Sequence, residues 1–315
     1  MEKDKNSIII ENKNKQSDIM ARKITSQTLL EDLKTGNLSK LLDELKKNEN
    51  IDIQIRDNYL SVYYRGGSLL KIQGKNSFVF DKFYFYTESD KPAKIIKKDD
   101  DECAKLQEQK DNLLKKIKDG KHQEFIKQAT DQIDKWLKAH EKEESEREEQ
   151  HKLLIENQYG KSDYTIIDIE FQVSELSDYK CTFPKEKPKK PRFDIIAVNK
   201  NGRLCVIELK KGLKALDGTS GLKEHYQCYN FSIGRNPQKF HEEMVDLLAQ
   251  KQDFGLIDKC LKINTAPPEF IFAYSYDKEK ENFTEQRRKF ENIAKSIDKN
   301  IQCIIIDNDH KLKKT

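Results

Sequence analysis

The chain has 315 residues, a formal net charge of +4, and equal shares, 36% each, of apolar and charged residues. That balance fits one large or two modest domains with much surface and little spare core, and abundant Ile, Val, Phe and Tyr exclude wholesale disorder. No apolar run is long enough to span a bilayer, and the start MEKDKNSIIIENKNK lacks a secretory apolar region.

Six cysteines (Cys103, Cys181, Cys205, Cys228, Cys260, Cys303) contain no C-x-x-C pair, so free thiols in a cytoplasmic protein are expected, with neither disulfides nor zinc. Residues 1–23 read as a polar, Lys/Asn-rich tail. Residues 24–97 read as a small α+β unit. Its helix runs from about Thr28 to Lys47 on Leu29, Leu30, Leu33, Leu41, Leu42 and Leu45. Strands follow at 51–56, 59–65, 68–72 and 78–87, punctuated by Asp57-Asn58 and Gly66-Gly67. The run Tyr63-Tyr64-Arg65-Gly66-Gly67 interleaves aromatic and basic residues. Such a run stacks on a nucleic acid strand or simply packs a small sheet, and both readings stay open.

Residues 98–142 read as a helical connector, broken at Gly120. Its second helix continues past Trp136 and Leu137 to Leu153, Leu154 and Ile155 at the start of the last region, 143–315. There a strand is expected at Tyr164–Val173, a hairpin around Lys200-Asn201-Gly202, and a helix from Leu222 to Ile233. A strand at Glu269–Tyr276, a helix from about Thr284 to Lys299 and a strand at 302–306 complete it.

The hairpin FDIIAVNKNGRLCVIELKKG carries the chemistry. A two-residue loop would set Asp194 opposite Leu209, away from Glu208. A three-residue loop, with Gly202 in the left-handed position, pairs Asp194 with Glu208. Period-2 geometry then puts Lys210 on the same face. Ile196, Val198, Leu204 and Val206 share that face, and Phe193, Ile195, Ala197, Cys205 and Ile207 occupy the other. A hairpin apolar on both faces belongs in a sheet covered on both sides. Two carboxylates and an ammonium at its rim would form a divalent-metal and phosphate site.

Asp194, Glu208 and Lys210 resemble the motif of the PD-(D/E)XK, or restriction-endonuclease-like, nuclease superfamily, although Phe193 stands where the name-giving proline would be. The order helix, three strands, helix, strand over about residues 143–308 is also similar to that superfamily's core. The resemblance implies an α/β fold, with a mixed central sheet flanked by helices beside the N-terminal α+β unit. It implies Mg²⁺ or Mn²⁺ held by Asp194, Glu208 and the Leu209 carbonyl, with Lys210 orienting water or neutralising phosphate charge. One helical acid would complete the site, Glu149 first, Glu146 second and Glu156 third, and Glu170 is a further candidate ligand. His225, Tyr226 and Gln227 on the following helix would position water or the nucleic acid backbone.

Lys187, Lys189, Lys190 and Arg192 lie in a proline- and lysine-rich stretch that would hold phosphates by counterion release. The expected function is hydrolysis of nucleic acid phosphodiesters, DNA in preference to RNA, with restriction or anti-phage defence as the setting. A nucleic-acid-binding module with an inactive core, and a protein-interaction subunit, remain the alternatives. A homo-oligomer is left open.

Overall fold

The computed structural model describes residues 22–81, 100–139, 146–173, 192–216, 221–275 and 283–313. The fold is mixed α/β, with one antiparallel sheet and one mixed sheet. Among the described residues no helix is long and apolar enough to cross a membrane.

The N-terminal part opens with α1 (Gln27–Lys34) and α2 (Ser39–Lys46) instead of the single helix the leucines predict. Gly36 explains the break. A Cβ there would lie 2.7 Å from the Asp32 backbone, so the chain folds back on itself too tightly for any side chain. The leucines remain on one buried side: Leu29, Leu33, Leu41, Leu42 and Leu45 all reach the core. Strands β1 (Ile51–Arg56), β2 (Tyr59–Tyr64), β3 (Gly67–Gly74) and β4 (Ser77–Phe80) form an antiparallel meander in that order. Ile53, Ile55, Leu60, Val62, Leu70 and Ile72 turn to the leucine side, as alternation requires. The opposite face, led by Asp52, Gln54 and Arg56, would be solvated in an isolated sheet. Here those three side chains are 2%, 1% and 8% exposed.

Helices α3 (Asp100–Lys118) and α4 (His122–Ala139) do more than connect. Phe125, Ile126, Ala129 and Ile133 of α4 pack into the same apolar cluster as the first sheet, where Phe80 meets Phe125 at 6.1 Å between ring centres. A separate helix, α5 (Glu146–Glu156), leads into the second sheet. The expected continuous helix from His122 to Ile155 is therefore two elements, with residues 140–145 between them outside the description.

The second sheet runs β5 (Tyr164–Gln172), β6 (Arg192–Asn199), β7 (Leu204–Lys211), β8 (Glu269–Ser275), β9 (Gln302–Ile306), in that order. The first two neighbour pairs are antiparallel and the last two parallel. Parallel pairs need crossovers. These are α6 (Leu222–Phe231) with α7 (Pro237–Asp253), and then α8 (Phe283–Ile297). The sequence reading has no counterpart for α7. Ile196, Val198, Leu204, Val206, Phe272 and Tyr274 belong to the cluster that holds Leu222 of α6, Phe240 of α7 and Phe290 of α8. Ile195, Ala197, Cys205, Ile207 and Leu209 belong to the other, with Leu153 of α5. The hairpin is thus covered on both sides, as its composition requires.

Phe193 departs from the alternation. It sits with Ile196 in the first cluster, beside Phe171, which meets Phe240 edge-on. The adjoining Glu170 has a φ of 53, and this breaks the pleat of β5 at the same level.

Candidate active site

The hairpin loop sets the register. Asn199 N–H bonds the Arg203 carbonyl at 3.0 Å and Gly202 N–H bonds the Asn199 carbonyl at 2.8 Å, leaving Lys200-Asn201-Gly202 as a three-residue loop. Gly202 has a φ of +82, where a side chain is strained. From this loop the pairs Val198–Leu204, Ala197–Cys205, Ile196–Val206 and Ile195–Ile207 follow, and one step further would set Asp194 against Glu208.

The ladder between β6 and β7 stops at Ile195–Ile207. Beyond that point β6 stays paired with β5 through Phe193 and Arg192, and β7 stays paired with β8 through Glu208, Leu209, Lys210 and Lys211. Each strand follows its outer neighbour, so the sheet parts between Asp194 and Glu208. Asp194 bridges the opening: its Oδ2 accepts the Leu209 N–H at 2.8 Å, replacing the lost ladder bond. The N–H and C=O of one strand residue project to the same side. The Leu209 carbonyl therefore also faces the opening.

Glu208 is 0% exposed and Lys210 5%. Lys210 Nζ donates to Glu208 Oε1 at 2.6 Å, and His225 Nδ1 of α6 lies 3.0 Å from the same oxygen. Phe272 and Tyr274 of β8 stand beside Glu208 and Lys210 in the ladder. An ion pair walled by aromatic rings loses hydration and depends on its partners' geometry. Asp194, at 7% exposure, and half-buried His225 complete the group.

The remaining expected residues separate from it. Glu149 is buried, but its Oε1 is bound by His310 Nδ1 at 2.8 Å. It shares a helix face with Leu153, which packs on Ile207 and Leu209, so it lies beneath the sheet surface opposite to Glu208. Glu156 is half-buried at the far end of α5, which Glu146 opens. Glu170 pairs with Arg192 at 2.8 Å, which engages both a proposed metal ligand and a proposed phosphate contact.

Tyr226 packs against Phe270 and Phe272, and its hydroxyl donates to Asp298. Gln227 is exposed. Two residues beyond His225 the helix has turned about 200°, so Gln227 points away from the cleft. Lys187, Lys189 and Lys190 lie outside the described residues.

Sequence reasoning missed a second polar group, Arg22, Arg56, Asp168 and Lys251. Asp168 is 0% exposed and sits 2.8 Å from Arg56 Nη1 and 3.5 Å from Arg22 Nε. Burial alone would raise its pKa, but Arg22 and Arg56 hold it below the usual value. Lys251 donates to Gln54 Oε1 and to the Ile167 carbonyl, both at 2.6 Å, and burial pushes its ammonium down to about 8. The readable signal is the polar alternation Asp52-Ile53-Gln54-Ile55-Arg56, which does not by itself say whether that face is solvated or covered.

Among the described residues no group of three or more His, Cys, Asp or Glu side chains is arranged to hold a metal ion. The donor set at the parted strands is nonetheless hard oxygen: two carboxylates and a main-chain carbonyl. Mg²⁺ is commonly held by one or two carboxylates with several waters, so these residues fit that ion in kind. No family model, no curated protein and no solved structure matches this chain.

Proposed function

We propose that the protein is a metal-dependent nuclease that hydrolyses nucleic acid phosphodiesters, DNA in preference to RNA. The observation that carries this reading is the placement of Asp194 on the Leu209 N–H, between Glu208 and its partner Lys210, where β6 and β7 part, all three side chains less than a tenth exposed. Solvated surface charges do not collect in such a place without use. The order α5, β5, β6, β7, α6, β8 and the directions of those strands agree with the restriction-endonuclease-like core that the motif implies.

In this reading Asp194, Glu208 and the Leu209 carbonyl hold Mg²⁺, which when bound polarises the scissile phosphate and acidifies a bound water. Lys210 places a cation beside the phosphate and stabilises charge that develops on its oxygens. His225 fixes the Glu208 carboxylate from the helix side. Hydrogen-bonded outer partners of this kind orient a ligand and are commonly worth about 10–100-fold in metal affinity or activity. Phe272 and Tyr274 limit water on the β8 side, which strengthens each of these interactions.

A second reading is a core that binds nucleic acid without cutting it. Its support is the placement of Glu149 with His310 under the opposite sheet surface, which leaves the helical acid out of the cluster. One assay separates the two. Plasmid, single-stranded DNA and RNA are incubated with the protein in Mg²⁺, in Mn²⁺ or in chelator, beside Asp194→Ala. Cleavage that needs metal and is lost in the variant is expected. Salt-dependent DNA affinity with no cleavage in either metal would replace the first reading by the second.

A further inference from the structure

The polar face of the first sheet meets the edge of the second around a cavity of about 400 Å³. That volume is within the range of small-molecule sites. Arg22 and Arg56 lie at one end with Lys71, whose Nζ stands 5.6 Å from the centre of the Tyr59 ring. Gln150 and His151 of α5 lie toward the other, since His151 bonds the Asn50 carbonyl at the start of β1 and Tyr63 is paired with Asp52.

Among the described residues, four buried polar atoms of the cavity lining have no hydrogen-bond partner: Arg22 Nη1, His151 Nδ1, and both Nε2 and Oε1 of Gln150. Gln150 is 1% exposed. A native fold rarely leaves a whole buried amide unmatched without a use for it. The charge is also unbalanced. Among the described residues, Arg22 and Arg56 of the cavity lining share one carboxylate, that of fully buried Asp168. Arg22 is pushed down to about 10 by burial. At the rim, Asp57 and Asp81 carry negative charge, while Glu170 is matched by Arg192. The deep end thus favours an anion, and the far end offers a ring face and an amide.

We propose that this cavity is a nucleotide-binding site, with phosphate at Arg22 and Lys71, and the base on Tyr63 with its edge read by Gln150. Lys71 is paired with Ser61, two strand steps from Tyr63, about 7 Å at the rise of an extended chain. That is close to the reach from base to phosphate of one nucleotide. The Gln150 amide supplies both a donor and an acceptor, as a base edge requires. The site is separate from the parted strands, and nucleotide binding there does not need cleavage to occur. The same chemistry comes from a free mononucleotide or from the phosphorylated end of a strand.

The test is calorimetric titration of the full chain in chelator, which removes any metal-dependent event at the cleft. The probes are the four 5′-mononucleotides, inorganic phosphate, and a short oligothymidylate with and without a 5′-phosphate. Binding of a mononucleotide or of the phosphorylated oligonucleotide is expected, weakened about tenfold or more by Lys71→Ala and by Gln150→Leu. Tighter binding of the phosphorylated oligonucleotide identifies a strand end, and tighter binding of a mononucleotide identifies a free ligand. Gln150→Leu guards against misfolding, because it removes an unmatched buried amide and should melt no lower than the parent. The proposal is overturned if no probe binds at millimolar concentration. It is also overturned if inorganic phosphate binds as tightly as any nucleotide, or if Gln150→Leu folds and binds like the parent.

Discussion

The Asp194 carboxylate and the Leu209 N–H, 2.8 Å apart, meet across the point where two antiparallel strands stop pairing. Asp194 therefore has a structural duty, satisfying a buried donor, as well as the charge that the proposed chemistry uses. The two duties separate by substitution. Asp194→Asn keeps an oxygen for Leu209 and should stay within about 1 kcal/mol of the parent, whereas Asp194→Ala leaves the donor unmatched and should cost about 1–3 kcal/mol. Both should lose metal-dependent cleavage. Denaturant melts and a plasmid assay on the pair decide the matter, and full activity in Asp194→Asn would remove the carboxylate from the mechanism.

Glu208 should respond to metal. At a free Mg²⁺ concentration of 100 times Kd, binding to the native state alone adds about 2.7 kcal/mol of stability. A rise in Tm across millimolar Mg²⁺ or Mn²⁺ is expected, and its loss in Glu208→Gln. A parent Tm that ignores both ions would argue against metal at these residues.

Lys210→Ala should spare DNA affinity and abolish cleavage. Because it strands a buried carboxylate, it should also cost about 3–5 kcal/mol, while the double variant Lys210→Met with Glu208→Leu should recover much of that loss. If Lys210→Ala melts like the parent, the 2.6 Å contact contributes nothing measurable.

The loop that brings the acids together should tolerate no side chain at Gly202. Its φ of +82, with the Lys262 carbonyl 3.1 Å from a built Cβ, makes Gly202→Ala strained on both counts. A loss of about 1–2 kcal/mol is expected, and Gly202→Asn, which visits this backbone region more readily, should lose less.

Lys251 gives a pH signature. Its ordinary value of 10.5 is lowered to about 8 in the fold, so between those values the unfolded chain binds more protons. Stability should then rise with pH from about 8 upward. Tyr64, Tyr164 and Tyr229, raised to about 12 by burial, act with the opposite sign once pH exceeds 10. Cys303, raised by burial from 9.0 to about 11, also opposes it above pH 9, so the clean window is pH 8 to 9. Lys251→Met should flatten the slope there, and an unchanged slope would place the titrating group elsewhere.

The hairpin was legible because a strand has a short period and a loop of known length converts it into a register. Gly202 suits the two-residue and the three-residue loop alike, so the register itself is decided by the Asn199–Arg203 and Gly202–Asn199 hydrogen bonds. The sides of α6 were not legible in the same way. Which of His225, Tyr226 and Gln227 faces the sheet depends on how the helix is rotated by Phe270, Phe272 and Asp298, far away in sequence. Helix α7 was overlooked although Phe240, Met244, Leu247 and Leu248 recur at helical spacing, with buried Lys251 ending the stripe in a charge. The Arg56–Asp168 pair joins residues 112 apart, and nothing local marks either as buried.

The covered polar face of β1 has a consequence for how separable the two sheets are. Arg22 and Arg56 come from the N-terminal part, and Asp168 and Lys251 from the part bearing the cleft. A fragment beginning at residue 100 would keep an acid built for two arginines and lose both. Expressed alone, that half would carry an uncompensated charge at its seam, where two modular domains would show ordinary surface. Evolution could not trade the first sheet for an unrelated one without rewriting Asp168 and Lys251 as well. The two sheets are therefore tied through one buried charge group to which each supplies part.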